Sequence, residues 1–166
     1  MIEIIENEQK KLARIAVIGV GGAGNSVVKR MHKDNITEIE LIRVNTDEKA
    51  LINCPDKAIQ IGVNVTKGLG AGAKPEIGKQ AAEESIEEIK QAVEGLDLAI
   101  ITCGMGGGTG TGAGPVISRI CKELGILTIG IVTKPFSFEG NVRMQNAIVG
   151  IEEMNNSVDT LLVIPK

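Results

Sequence analysis

The sequence contains no Trp, no Tyr and only two Phe among 166 residues. Proteins that grip unstacked bases do so largely on aromatic faces, so this chain is poorly equipped for single-stranded nucleic acid. It also lacks the charge for a duplex. Its 18 basic residues stand against 21 acidic ones, a formal net charge of -3, whereas nucleic-acid binders carry a basic face. Binding one small anion through backbone amides remains open, because it needs glycine rather than net charge. The three cysteines, Cys54, Cys103 and Cys121, are an odd set without C-x-x-C spacing. That argues against a disulfide framework and a zinc site. They read as small buried hydrophobes in a reducing cytosol. The single His32 has no partner at catalytic spacing and reads as a surface residue. No apolar run approaches the ~18 residues that suggest a membrane span. Residues 1–10 mix Glu and Lys without the apolar segment of a secretory signal.

What is present is an alternation of short β-branched runs with longer helical stretches. A chain of this length buries roughly 70% of its unfolded surface, enough for a core without staples. Strands are expected at 14–20, 39–44, 58–61, 97–103, 126–132 and 160–164, and helices at about 25–33, 75–94, 113–124 and 142–154. In the helix over 75–94, Pro75 suits a first turn. Ile77, Ala81, Ile86, Ile89 and Val93 fall near one face, with Glu83, Glu84, Glu87, Glu88 and Lys90 on a solvated one. Gly125 is placed as the glycine that ends the preceding helix. Near-continuous apolar strands alternating with helices predict an α/β fold. The expected architecture is a Rossmann-like, doubly wound, mostly parallel six-stranded sheet with helices on both faces. Ligands of such sheets bind beyond the carboxyl ends of the strands.

Glycine is abundant, 21 residues, and it clusters at those strand ends. Gly19-Val-Gly21-Gly22-Ala23-Gly24-Asn25 satisfies G-x-G-x-x-G between a strand and a helix. That pattern fits a phosphate at a helix N-terminus and a dinucleotide site equally well. Gly104-Met-Gly106-Gly107-Gly108-Thr109-Gly110-Thr111-Gly112 is more unusual, with six glycines in nine residues. A turn needs one or two, and every further glycine costs entropy on ordering. Such a run therefore points to bare backbone presented to an anion, with Thr109 and Thr111 adding hydroxyls. A third loop, Gly68-Leu-Gly70-Ala71-Gly72-Ala73-Lys74, could close over a terminal phosphate. Lys74 is either a counter-charge there or a solvated loop lysine. The Walker sequence G-x-x-x-x-G-K-[ST] does not occur, and serine-triad and metallohydrolase chemistry lack their parts.

Gly104 to Gly112 resembles the phosphate-binding signature of the tubulin/FtsZ superfamily. Gly19 to Asn25, Val44-Asn45-Thr46-Asp47, Gly68 to Gly72, and Pro135-Phe-Ser-Phe-Glu139-Gly with Arg143 match the FtsZ pattern in order and spacing. Within the superfamily the likeness is to the bacterial cell-division FtsZ branch rather than to tubulin. The resemblance implies a GTP-binding domain over 12–166 after an N-terminal extension of 1–11. It implies a self-assembling GTPase of the division ring, cytoplasmic and at midcell. Gly21, Gly22, Ala23, Gly24 and Asn25 would wrap the α- and β-phosphates and approach the base. Gly104, Gly106, Gly107, Gly108, Thr109, Gly110 and Thr111 would cradle the phosphates. Ala71, Gly72 and Ala73 would sense the γ-phosphate, and Asn45 and Asp47 would lie near phosphate and Mg²⁺. Pro135, Glu139 and Arg143 would sit by ribose and phosphate. GTP or GDP is the implied ligand, with Mg²⁺ held through its phosphates and no metal ligand assigned to the protein.

The pattern stops short of the family's central helix and second domain, which carry the guanine-stacking aromatic and the catalytic acids. The expectation is thus a nucleotide-binding half that hydrolyses GTP poorly alone. Its partners would be the missing C-terminal half and, in the full-length family, further copies head to tail. The alternative is a Rossmann-type NAD(P)-binding oxidoreductase domain using only the first loop. That fold expects an acid at the end of the second strand, where this sequence has Val44-Asn45.

Overall fold

A computed structural model describes residues 12–165, so the extension assigned to 1–11 lies outside the described residues, as does Lys166. Six strands form one sheet: β1 (Ile15–Val20), β2 (Glu40–Asn45), β3 (Lys57–Gln60), β4 (Leu98–Gly104), β5 (Leu127–Thr133) and β6 (Thr160–Ile164). Their order is β3-β2-β1-β4-β5-β6, and every pairing is parallel. The chain winds outward in one direction from β1 and in the other from β4. The loops leaving these two central strands therefore part, and open a crevice at their carboxyl ends.

The helices are α1 (Gly21–Lys33), α2 (Val63–Thr66), α3 (Pro75–Glu84), α4 (Ile86–Val93), α5 (Thr109–Glu123) and α6 (Asn141–Asn155). The core holds Ile18, Val20, Ile42, Val44, Ile101 and Val132 from the strands with Ile89, Val93, Ile117 and Met154 from the helices. β1 is buried from Ala16 to Val20, whereas the edge strand β6 alternates between exposed and half-buried positions. An all-covered strand reads as a continuous apolar run and an edge strand as an alternation, which is the difference these two segments show.

Three expected boundaries move. α1 begins at Gly21 and α5 at Thr109, four residues before the predicted starts in each case. Glycine propensity argued for loop there, and tertiary placement of the first turn overrides it. The single helix expected over 75–94 is two, parted at Ser85. The Ser85 hydroxyl accepts from the Gly62 N–H at 3.0 Å, a bond that holds the break in place. Glu84, expected on a solvated face, accepts from the N–H groups of Asn64 and Val65 at 3.0 and 3.1 Å. It thereby satisfies the first turn of α2.

Helix placement rests on glycine. A Cβ built on Gly24 would stand 2.4 Å from the Thr102 carbonyl oxygen, so α1 lies directly on the β4 backbone. A Cβ on Gly112 would stand 1.9 Å from the Pro75 oxygen, and one on Gly78 would stand 2.3 Å from the Gly108 oxygen. α3 and α5 thus cross at backbone contact. Gly78→Ala forces that crossing apart and is expected to cost about 1–3 kcal/mol in urea unfolding. Glu83→Ala on the exposed side of the same helix changes stability by less than about 0.5 kcal/mol.

Cys103 and Cys121 are buried and Cys54 half-buried, all three as free thiols. Burial pushes the thiols of Cys103 and Cys121 up to about 12. The thiolate is the reactive species, so a thiol reagent applied to the native chain labels Cys54 alone. Labelling of all three occurs only on unfolding.

Candidate functional site

The crevice at the ends of β1 and β4 holds a cavity of about 290 Å³. Its lining includes Gly21, Gly22 and Ala23 from the first turn of α1, and Gly104, Gly107, Gly108, Thr109 and Gly110 from the loop into α5. Pro135, Glu139 and Arg143 close a third side. Two helix N-termini, separated by about ninety residues of sequence, therefore face one space. Neither helix carries an acidic residue in its first turn or a side-chain cap, so its leading N–H groups are not claimed by an N-cap side chain. Positive ends of two helix dipoles on one cavity make an anion site without a lysine or arginine cluster.

The glycines here divide by what they do. Gly22 and Gly107 would each place a Cβ in open space, with no heavy atom within 4 Å. Packing does not require glycine at either position, and the bare Cα leaves the cavity clear. Gly108 differs: its Cβ would meet Ala71 Cβ at 2.8 Å and the Lys74 nitrogen at 2.9 Å. It lets the loop 68–74 lie against the cradle. Gly21 takes φ +75° and Gly106 φ +116°, conformations open to glycine and strained for other residues.

Of the residues singled out by sequence, the cavity gathers Gly21, Gly22, Ala23, Gly104, Gly107, Gly108, Thr109, Gly110, Pro135, Glu139 and Arg143. The others are not among its lining residues. Gly24 is a packing glycine under β4. Asn25 is buried, and its amide donates to the carbonyls of Gly19 and Val44 at 2.8 and 3.1 Å. Asn45 donates to the Asn25 oxygen at 3.0 Å and accepts from the Asp47 N–H. These two asparagines tie α1 to β1 and β2, and set the strand ends from which the loops depart. Asp47 accepts from the Lys49 N–H at 2.9 Å and starts the turn Glu48–Leu51. Thr111 was expected to offer its hydroxyl to a ligand. It is buried, accepting from the Gly106 N–H at 2.8 Å, and so shapes the loop instead. Ala71, Gly72 and Ala73 lie in the loop against Gly108, and only Ala71 is buried. Lys74 is exposed and lines no part of the cavity.

Arg143 Nη1 and Glu139 Oε1 pair at 3.4 Å, and the Glu139 carboxylate also accepts from the Phe136 N–H. The pair presents a guanidinium suited to phosphate and a carboxylate suited to a sugar hydroxyl. Thr109 makes a contact that spacing did not reveal: its hydroxyl is 2.7 Å from that of Thr46, which is fully buried. The sequence pattern gives Thr46 no role beyond its place in the Val44–Asp47 match, and it does not single out Gly78.

A larger groove of about 640 Å³ runs beside α1, past Ser26, Lys29, His32, Lys33, Arg43 and Lys49. Arg43 and His32 both pair with the buried Asp56, at 2.8 and 2.9 Å. His32 is half-exposed as expected, but it is partnered. The groove shares Gly22 with the smaller cavity and also reaches Asn25, but the rest of its lining is side chains with solvent-exposed lysines, and among the described residues only one α-helix N-terminus borders it. Among the described residues no group of three His, Cys, Asp or Glu side chains could hold a metal ion. No described helix is long and apolar enough to cross a membrane.

β2 ends in the amide of Asn45, spent on Asn25 and Asp47, so the strand end offers no acid for a dinucleotide ribose. Residues 14–166 match the Tubulin/FtsZ family, GTPase domain. An FtsZ of M. jannaschii, solved as an empty dimer, superposes with a TM-score of 0.91 at 49% identity, over 95% of this chain and 46% of that one. CetZ1 from Haloferax volcanii, solved as a GDP-bound monomer, gives 0.82 at 30% identity, over 92% of this chain and 51% of that one. The chain spans about half the length of these relatives. A six-stranded parallel sheet, a glycine cradle at its switch point and a family match over 14–166 lead to one assignment: the chain belongs to the Tubulin/FtsZ family and corresponds to its GTPase domain.

Proposed function

We propose that the cavity between the first turns of α1 and α5 binds the phosphates of a guanine nucleotide, GTP or GDP. The observation that carries this reading is the meeting of two bare, uncapped helix N-termini across Gly21–Ala23 and Gly107–Gly110. Backbone N–H groups would take the phosphate oxygens, and Arg143 would add a charge-assisted bond. Glu139 would accept from a ribose hydroxyl. Mg²⁺ would be held through the phosphates, with no protein ligand assigned to it, and would supply charge neutralisation. The nucleotide in the Haloferax relative's description favours the same ligand class here. The dimer in the M. jannaschii description favours assembly of copies. A place in the division ring at midcell, in the cytoplasm, completes the reading.

Hydrolysis needs a water held in line with the transferred phosphoryl group. Among the described residues Glu139 is the one carboxylate in the cavity lining, and it is held by Phe136 and Arg143 and assigned to the ribose, while the acids that the family resemblance implies for catalysis belong to a second domain. The 166-residue polypeptide is therefore expected to hold nucleotide and turn it over negligibly. Phosphate release that stays at the buffer rate as protein concentration rises meets this expectation. Release that climbs with concentration contradicts it.

Binding has a convenient readout. Without Trp or Tyr, the protein's own near-ultraviolet absorbance is slight, and retained guanine stands out in the spectrum of a purified sample. Gly107→Val fills open space. It is expected to leave unfolding within about 0.5 kcal/mol of the parent and to weaken GDP binding more than about tenfold, a loss exceeding ~1.4 kcal/mol. Parent-like affinity in that variant overturns the cradle assignment.

A further inference from the structure

Thr46 and Thr66 are buried polar residues outside the cavity lining, and together they connect the cradle to the loop 68–74. The Thr46 hydroxyl lies 2.7 Å from that of Thr109, the one side-chain hydroxyl among the described residues that line the cavity. The Thr46 carbonyl accepts from the Thr66 hydroxyl at 3.2 Å, which is shared with the Gly62 carbonyl. The Thr66 hydroxyl in turn accepts from the Gly68 N–H at 3.3 Å. Gly68, at φ +77°, opens the loop that reaches Gly108 through Ala71 and Lys74. Backbone pairing runs alongside: the Glu48 N–H donates to the Gly68 carbonyl at 3.1 Å, and Asp47 bridges Leu69.

Hydroxyl chemistry gives the Thr46–Thr109 contact a direction. Each threonine hydroxyl has one proton to donate. If Thr109 gives its proton to an anion in the cradle, its contact with Thr46 requires Thr46 to donate to the Thr109 oxygen. Thr46 is fully buried, out of reach of bulk solvent, and an unmade bond there carries a desolvation cost. The second half of the path leaves from the Thr46 backbone carbonyl, so it couples the two halves by fixing the position of residue 46 and not by passing a proton. We infer that Thr46 is a positioning residue of the phosphate cradle, fixing the Thr109 hydroxyl and, through Thr66, linking cradle occupancy to Gly68 at the start of the loop 68–74. The inference rests on the nucleotide reading above, and its test separates the two.

The test is a double-mutant cycle read by GDP titration of the full 166-residue chain. Thr46→Val keeps shape and removes the hydroxyl, and is expected to weaken binding about tenfold. Thr46→Ser restores parent-like affinity. In a Thr109→Val background, Thr46→Val has no further effect, because the hydroxyl it positions is gone. A merely structural role would instead lower nucleotide-free thermal stability and give penalties that add. Additive penalties, or a Thr46→Val chain that binds like the parent, overturn the relay and leave the nucleotide reading standing. A parent chain that does not bind GDP overturns both. If Thr46→Val does not fold, amide exchange at Gly68 in the parent carries the test. GDP slows that exchange when the relay operates, and unchanged exchange overturns it.

Discussion

Backbone-to-backbone contact at glycine is the constraint on which the rest of this structure depends. Gly24 sets α1 on β4, while Gly78 and Gly112 set α3 against α5. A methyl group at any of these would stand within 2.4 Å of a carbonyl oxygen, and backbone cannot yield as a side chain would. The cost is conformational entropy lost on ordering each glycine. The return is positional. The first turns of α1 and α5 face one cavity, and the loop before α3 is pressed against Gly108. Packing and site geometry are here the same set of contacts.

That arrangement explains how an acidic chain can present an anion site. Charge enters through oriented peptide dipoles, which add nothing to the net charge of -3. Among the described residues Arg143 is the one full positive charge in the cavity lining, and it arrives already paired with Glu139. The broader groove beside α1 makes the contrast. It gathers lysines on exposed, flexible stems, which attract anions diffusely and fix no geometry. Amides locked into two helix ends reorganise little when a ligand arrives, which is what tight recognition of a compact phosphate requires.

Much of this was legible in the sequence because glycine and β-branched residues restrict the chain strongly. Each strand lies within a residue or so of its apolar run, and the two glycine loops mark the switch point before any fold is known. The misreadings share a cause. Gly21 and Thr109 begin helices that local propensity argued against, since only packing on β4 and α3 makes glycine the better residue there. Ser85 and Glu84 looked like an ordinary helix surface because their partners, Gly62, Asn64 and Val65, lie some twenty residues upstream. Thr46 was named only within the Val44–Asp47 match, and its contact was hidden for the same reason at longer range, its partner hydroxyl being 63 residues away. Asn25, Asn45 and Thr111 were placed at the site by motif, but a motif does not say whether a side chain faces the cavity or is spent on the surrounding backbone, as these three are.

The central claim is that the bare amides of the two helix N-termini, not the basic groove, receive the ligand's phosphates. Backbone amide shifts of the nitrogen-labelled chain, followed through a GDP titration, test this most directly. The account predicts the largest changes at Gly21, Gly22 and Ala23 and at Gly107 to Gly110, with Arg143 moving as well. Large shifts at Lys29, His32, Lys33 and Lys49 while the cradle amides stay still would contradict it.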